Sequence, residues 1–371
     1  MTSSGKSQKE YLLLLAGAAA SIATFWNLRN QRRDTPVQED KRALQDDKEP
    51  DYIVHDDTYY LEYAHKLRRA LIPPQQSNFR VVAIFRLEGG EILCGTNDEP
   101  SPNISMAMCA ERCALLKYRV EQRTEKVDTI YIVTDANTPV TPGTACREYM
   151  SGHFAIDRHT TRIVMQSKDP NSMPILQTLA ELYPFPSIYN RLNPQEQMEL
   201  GKRFELTARK QLEQLHVPDL PAANLTQLVN LAREACDIDN RDSLHAIRYG
   251  AAMAMEYGGK IDILSASQIK ALEYSSTLDA VCQLSFQVLS RTQKSKGTPR
   301  LLALVQVDQF GIPHGPFAAA RAFLVEQGFG DCAVILTKLE EENGKDATTI
   351  TVQTVAALDL APDVPEFRSR E

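Results

Sequence analysis

Three landmarks of this chain each return once, at nearly the same distance downstream, and that repetition restricts the fold more than any single motif does. MCAERCALL around Cys109 faces VCQLSFQVL around Cys282, 173 residues on. CREYMSGHF around Arg147 faces ARAFLVEQGF around Arg321 at 174, and TLAEL from Thr178 faces TVAAL from Thr354 at 176. SNFRVVAIF near Phe79 loosely faces AIRYGAAM near Tyr249. One match between Ala-rich stretches means little, but a near-constant offset across three implies a duplicated unit. A length of 371 residues suits two such domains with tails.

Hydropathy patterning gives each unit mixed α/β character. In the first unit the spacing predicts a helix over Tyr60–Ala70 and strands over Phe79–Leu87 and Glu91–Gly95 about a Gly89–Gly90 turn. A helix over Met106–Val120, a strand over Asp128–Thr134, a short helix over Ala145–Phe154 and a strand over Thr161–Gln166 follow. A closing helix is expected over Leu176–Tyr183, and a long polar helix over Pro194–Val217, stopped by Pro218 and Pro221. The organisation read from this is an N-terminal hydrophobic segment (1–33), an acidic linker (34–57), a domain carrying the site (58–190), a helical linker (191–223), a second domain (224–361) and a tail (362–371).

The run Tyr11–Leu28 carries no charge and is flanked by Lys6, Lys9, Arg29, Arg32 and Arg33. It approaches the length of a membrane helix, and the basic cluster that follows it favours a cytosolic body. The expectation is therefore a transmembrane anchor with the body on the cytoplasmic side, a cleaved organelle-targeting segment being the second reading. A net charge of −7 argues against a binder of long nucleic acid, whose affinity rests on basic contacts to phosphate. The seven cysteines are odd in number in a chain too long to need staples, so they read as reduced thiols, some of them candidate metal ligands.

Two of those cysteines stand at predicted helix starts. Cys109-Ala110-Glu111-Arg112 opens one helix, and Thr141-Pro142-Gly143-Thr144-Ala145-Cys146-Arg147 opens the next after the strand DTIYIVT. Unpaired N–H groups at a helix start stabilise a thiolate. Two such starts brought together suit a soft cation such as zinc, which takes thiolate ligands and acidifies water at an open position. Glu111 lies two residues past Cys109, close enough to move protons.

These residues resemble the zinc-dependent cytidine deaminases. That class uses a His or Cys followed by Ala-Glu and, later, Pro-Cys-x-x-Cys. CAERCALL, VTDANTPVTPGTACREYM, SNFRVVA, GTNDE and TLAELYPFPS are similar to successive family segments over residues 58–187, with a weaker likeness over 224–361. The resemblance implies two tandem copies of the three-layer α/β/α cytidine deaminase fold, the second degenerate. It implies Zn2+ held by Cys109 and Cys146, Glu111 as the catalytic proton carrier, and the Ala110 backbone against the base. Asn97 and Glu99 would hold the ribose, Phe79 would pack on the base or sugar, and Arg112 would donate hydrogen bonds to the thiolates. The implied partner is a small nucleoside, with no nucleic acid, and a homodimer is the expected assembly.

One position departs from the pattern. The family's first Cys after Pro falls on Gly143, which has no side chain. Cys113, one turn from Cys109, Thr144, a carboxylate or a second water would have to complete the metal shell, or zinc binds weakly or is lost. In the second unit Cys282-Gln283-Leu284 stands where Cys-Ala-Glu is needed and Ala320 precedes Arg321. His314 is the only metal-capable residue of the IPHGPF loop, so no second active site is expected. The leading reading is hydrolytic deamination of cytidine or deoxycytidine in pyrimidine salvage. The rival is a weak or inactive deaminase-fold protein used for binding or scaffolding, and Gly143 separates the two.

Overall fold

The computed structural model describes residues 55–294, 299–340 and 349–363. The first half runs α1 (Asp57–Ala70), β1 (Val81–Leu87), β2 (Ile92–Thr96), α2 (Ala110–Val120), β3 (Val127–Thr134), α3 (Thr144–Gly152), β4 (Arg162–Gln166), β5 (Ile175–Thr178) and α4 (Leu179–Leu182). Helices α5 (Pro194–Gln214) and α6 (Ala222–Cys236) lead into β6 (Tyr249–Tyr257), β7 (Lys260–Ser267), α7 (Ala280–Lys294), β8 (Arg300–Asp308), α8 (Ala318–Glu326), β9 (Ala333–Glu340) and β10 (Thr349–Ala356).

Two five-stranded sheets result, ordered β2-β1-β3-β4-β5 and β7-β6-β8-β9-β10. In the first, β3 and β4 are parallel and the other pairs antiparallel. In the second, β8 and β9 are parallel and the rest antiparallel. The turn between β1 and β2 needs its glycine, because Gly90 has φ 90°.

Strand side chains alternate between faces, and both sheets are covered on both sides. Val82, Ile84, Tyr131 and Val133 pack under Tyr60, Leu61 and Ala64 of α1. Ala83, Phe85, Ile130 and Ile132 face Ala110, Ala114, Cys146 and Met150 of α2 and α3. The second sheet repeats the arrangement. Ala252, Ala254 and Val305 meet Leu225, Leu228 and Ala232 of α6, while Ala251, Met253 and Leu304 meet Ala280, Leu284, Ala320 and Leu324 of α7 and α8.

The segment expected to be a linker is part of the second core. Phe204, Ala208 and Leu212 of α5 are buried against it. Gln211 donates to the Ile350 carbonyl (2.9 Å) and accepts from the Val352 N–H (2.6 Å), which closes the free edge of β10. The expected closing helix over Leu176–Tyr183 is instead strand β5 followed by the single turn α4, because Leu176 pairs with Val164 of β4.

The sheets meet where α3 packs against α8. Two fully buried arginines organise this junction. The Arg147 guanidinium donates to Pro142 O (2.7 Å), Leu182 O (2.7 Å), Pro362 O (2.5 Å), Asp363 O (2.8 Å) and Thr141 Oγ1 (2.8 Å). Arg321 mirrors it with Pro316 O (2.7 Å), Leu360 O (2.8 Å), Pro184 O (2.7 Å) and Phe185 O (2.7 Å). Each arginine thus binds the last turn of its own half and the chain leaving the other half. Phe185 and Asp363 both adopt positive φ, 48° and 51°.

The starts of the helices in the two halves differ from two of the sequence pairings. Asp279, not Cys282, directly precedes α7 as Cys109 precedes α2. The Gln283 N–H bonds the Asp279 carbonyl (3.1 Å) as the Cys113 N–H bonds that of Cys109 (3.0 Å). Ala356, not Thr354, stands before the turn Ala357–Leu360 as Thr178 stands before α4. The first slip is nearly one helical turn, a distance over which a helical apolar pattern repeats.

No helix among the described residues is long and apolar enough to cross a membrane. The expected transmembrane anchor, with the membrane-attached or organelle-directed location drawn from it, is corrected on that finding. The longest described helix, the 21-residue α5, is studded with Glu, Lys and Arg and buries only Gly201, Phe204, Ala208 and Leu212. The Tyr11–Leu28 run and most of the 34–57 linker lie outside the described residues.

Candidate metal centre

The site forms where two helices begin on the same face of the first sheet. Cys109 is the N-cap of α2 and makes no side-chain capping bond, so its thiol is free for other chemistry. Gly143 is the N-cap of α3, and Cys146 lies three residues further. Strand β2 reaches α2 closely because Gly95 lacks a side chain, since a Cβ there would lie 2.1 Å from the Ala110 carbonyl oxygen.

One ligand atom each from Cys109, Glu111 and Cys146 lies within 4.8 Å of the others. Glu111 is 4 % exposed and Cys146 1 %. The Cys146 thiol donates to Glu111 Oε2 at 3.6 Å. Arg112 Nη2 donates to Cys109 Sγ at 3.3 Å and to the Ala107 carbonyl at 3.1 Å.

The electrostatics divide the three groups. The adjacent Cys146 thiol outweighs burial at Cys109 and, with the Arg112 charge, brings the Cys109 thiol down to about 6. The Cys109 thiolate beside it and burial hold the Cys146 proton well above the usual thiol range. Burial, then the negative charge of Cys109, raises the Glu111 carboxyl to about 7. At neutral pH the cluster thus holds a ready thiolate and a carboxyl poised to gain or lose a proton.

These donors fit zinc. Thiolates at about 2.3 Å from a tetrahedral ion stand roughly 3.8 Å apart, inside the 4.8 Å spread of the group. Cys113 is outside the group, and burial raises its thiol. Gly143 is exposed, and a Cβ built on it meets nothing within 4 Å.

The residues expected to hold the sugar and base form a second cluster. Asn97 accepts from the Val81 N–H (2.8 Å) and donates to the Phe79 carbonyl (2.8 Å) and to Glu99 (3.2 Å). Glu99 accepts from the Ser77 N–H (2.7 Å) and hydroxyl (2.8 Å). Phe79, Asn97 and Glu99 are thereby drawn together and stay partly exposed, whereas Ala110 is buried in the first turn of α2. Two neighbours were missed from sequence. Asp135 ties Arg80 (2.9 Å) and Arg68 (2.5 Å) to the start of the loop leading to α3. Glu148 reaches across to accept the Ala318 N–H at the start of α8 (2.7 Å). A charged residue flanking a motif was the only available signal for either.

In the second half Asp279, Val281, Phe317 and Ala320 occupy the positions of Cys109, Glu111, Gly143 and Cys146. Neither of the two thiols nor the proton carrier has a counterpart there.

Two helix starts on a mixed sheet, delivering two thiols and a buried carboxyl, define a candidate metal centre of an α/β protein. Residues 54–161, the segment that carries Cys109, Glu111 and Cys146, match the family model described as the cytidine and deoxycytidylate deaminase zinc-binding region. A cytidine deaminase of Halalkalibacterium halodurans is 37% identical over 75 residues, which are 20% of this chain. The match spans 55% of that relative's length, about half. The cytidine deaminase of Burkholderia pseudomallei is 22% identical at a TM-score of 0.31, over 35% of this chain and 98% of its own. That of Mycobacterium leprae is 22% identical at 0.27, over 33% and 93%.

Proposed function

We propose that the chain deaminates a free pyrimidine nucleoside, cytidine or deoxycytidine, hydrolytically at a weakened zinc site. The observation that carries the reading is the Cys109–Glu111–Cys146 group at two helix starts. A zinc ion held by Cys109 and Cys146 would supply Lewis acidity and an acidified water. Glu111, with its carboxyl near 7, is matched to accept a proton from the attacking water and return it to N3 and the leaving amine. A C4–O bond forms, the C4–N bond breaks, and cytidine plus water gives uridine plus ammonia. Arg112 holds Cys109 as thiolate. Phe79, Asn97 and Glu99 form the wall proposed to receive the sugar and base. The second half is read as a degenerate copy of the first, supported by its sheet order and its paired arginine.

Gly143 removes one chelating side chain, so low turnover is part of the proposal. The test is zinc content and uridine release by the purified chain with cytidine, beside Glu111→Gln. Slow, zinc-dependent release that vanishes in Glu111→Gln supports it. No release even at saturating zinc leaves the fold as a binding scaffold. The homodimer implied by the resemblance belongs to the same proposal, and a monomer mass in light scattering would remove it.

A further inference from the structure

A cavity of about 390 Å3 lies in the second half, bordered by Tyr183–Leu192 and Glu148 from the first. Its place in the fold is informative. The Gln268 N–H bonds the Tyr249 carbonyl (2.9 Å) as the Asn97 N–H bonds that of Val81 (3.4 Å). The bridge Ile269–Leu278 repeats Asp98–Met108, and Lys270 follows Gln268 at the spacing by which Glu99 follows Asn97. Phe317 caps α8 where Gly143 caps α3. The cavity therefore occupies the position in the second half that the Phe79–Asn97–Glu99 wall occupies in the first, and its volume falls within the range of small-molecule pockets.

Its chemistry selects the ligand. Tyr249 and Phe317 line it with rings set edge to face at 5.2 Å, a surface suited to a flat heterocycle. Two cations beside it make bonds within the protein. Lys270 Nζ is held by Asp239 (2.9 Å) and the His245 carbonyl (2.6 Å). Arg191 donates to the Ser151 (2.9 Å) and Ile156 (2.5 Å) carbonyls. Among the residues that line it, Gln268 and Gln197 each hold a buried, unbonded Oε1. A buried acceptor without a partner is uncommon and calls for a donor. A phosphate brings only further acceptors, whereas sugar hydroxyls and an exocyclic amine bring donors.

We propose that this cavity is a second, non-catalytic binding site for a neutral nucleoside. It binds without turning over, because Asp279, Val281 and Ala320 stand where the thiols and proton carrier of the first site stand. The site stands on its own lining and does not depend on turnover at the first.

The experiment is calorimetric titration of the zinc-stripped full chain with uridine, repeated with uridine monophosphate and with the variants Gln268→Ala and Thr277→Trp, the second of which fills the cavity. A crystal soaked with 5-bromouridine locates the ligand by bromine anomalous scattering, whether or not the variants fold. The expected result is saturable uridine binding, roughly tenfold weaker in Gln268→Ala, absent in Thr277→Trp at an unchanged melting temperature, with bromine in the cavity. No saturable binding, tighter binding of the monophosphate, or bromine only beside Cys109 and Cys146 overturns the proposal. Failure of deamination leaves it untouched, so the two readings fail separately.

Discussion

Replacing Gly143 by Cys is the perturbation that most directly interrogates the metal centre. The backbone there has φ −61° and ψ 155°, which any residue adopts, and a Cβ meets nothing within 4 Å. The new thiol would stand one helical turn before Cys146, on the same side of α3. Four-ligand structural zinc sites contribute about 10–16 kcal/mol, or about 3 kcal/mol per ligand. A third thiolate should therefore tighten zinc by roughly a hundredfold. Losing glycine also removes freedom from the unfolded chain, adding about 0.5–1 kcal/mol of stability without metal. Competition with a chromophoric chelator measures the first effect and urea unfolding of the zinc-free protein the second, while deamination should rise with zinc retention. If the wild type holds zinc as tightly as the variant, residue 143 is not the missing ligand. Another group must then complete the set, and Cys113→Ala is the variant that would expose it.

Glu111→Gln should lower deamination about 10²–10⁴-fold while zinc content, measured by atomic absorption, stays within a few fold. Loss of the metal instead would show that Glu111 is a ligand. In the zinc-free protein Cys109 carries its charge above about 6, so iodoacetamide labelling of Cys109 should be near its plateau at pH 7 and fall as pH drops through 6. Cys94, raised by burial to about 11, should stay unlabelled. Mass spectrometry of the adducts decides, and labelling that begins only above pH 8 would reject the thiolate. Arg147→Lys keeps the charge but supplies three donors for five acceptors. At about 1–3 kcal/mol per orphaned carbonyl it should cost about 3 kcal/mol in urea unfolding, and a change under about 1 kcal/mol would show that these bonds do not hold the halves together.

The sequence made the cluster legible because its members sit close together in the chain and each is tied to a helix start. Cys109 and Glu111 are two residues apart, and the strand that separates them from Cys146 is apolar enough to be read as buried. The sugar-and-base wall was legible only through resemblance, since Asn97 and Glu99 are ordinary turn residues until their bonds to Phe79 and Ser77 are seen. Strand β5 was misread because Leu176, Leu179 and Leu182 repeat at helical spacing, and only pairing with β4 draws the first of them into a sheet. The three-residue slip between Cys282 and Asp279 has a related origin, because an apolar helix aligns almost equally well one turn away and the substitution of Asp for Cys removed the chemical marker. Arg147 was read as a landmark of the repeat. Two of its five bonds go to the Pro362 and Asp363 carbonyls, more than two hundred residues away in the chain, and no local pattern encodes such partners.

Helix α3 explains why a half that carries no thiol pair remains attached to the half that does. Successive residues on a helix point about 100° apart, so three neighbours on one short helix meet three different surroundings. Cys146 faces Glu111 in the metal cluster. Arg147 binds carbonyls from both halves. Glu148, a half-buried carboxylate whose pKa desolvation raises, accepts the first N–H of α8, where the helix dipole favours negative charge. Turning or sliding α3 enough to displace Cys146 would break the bonds at both following positions, and the fully buried Arg147 has no water to replace them. The geometry of the metal cluster is in this way set by contacts that the second half supplies. Asp279, Val281 and Ala320 give that half no thiol at its helix starts, and none of the bonds that hold α3 uses them.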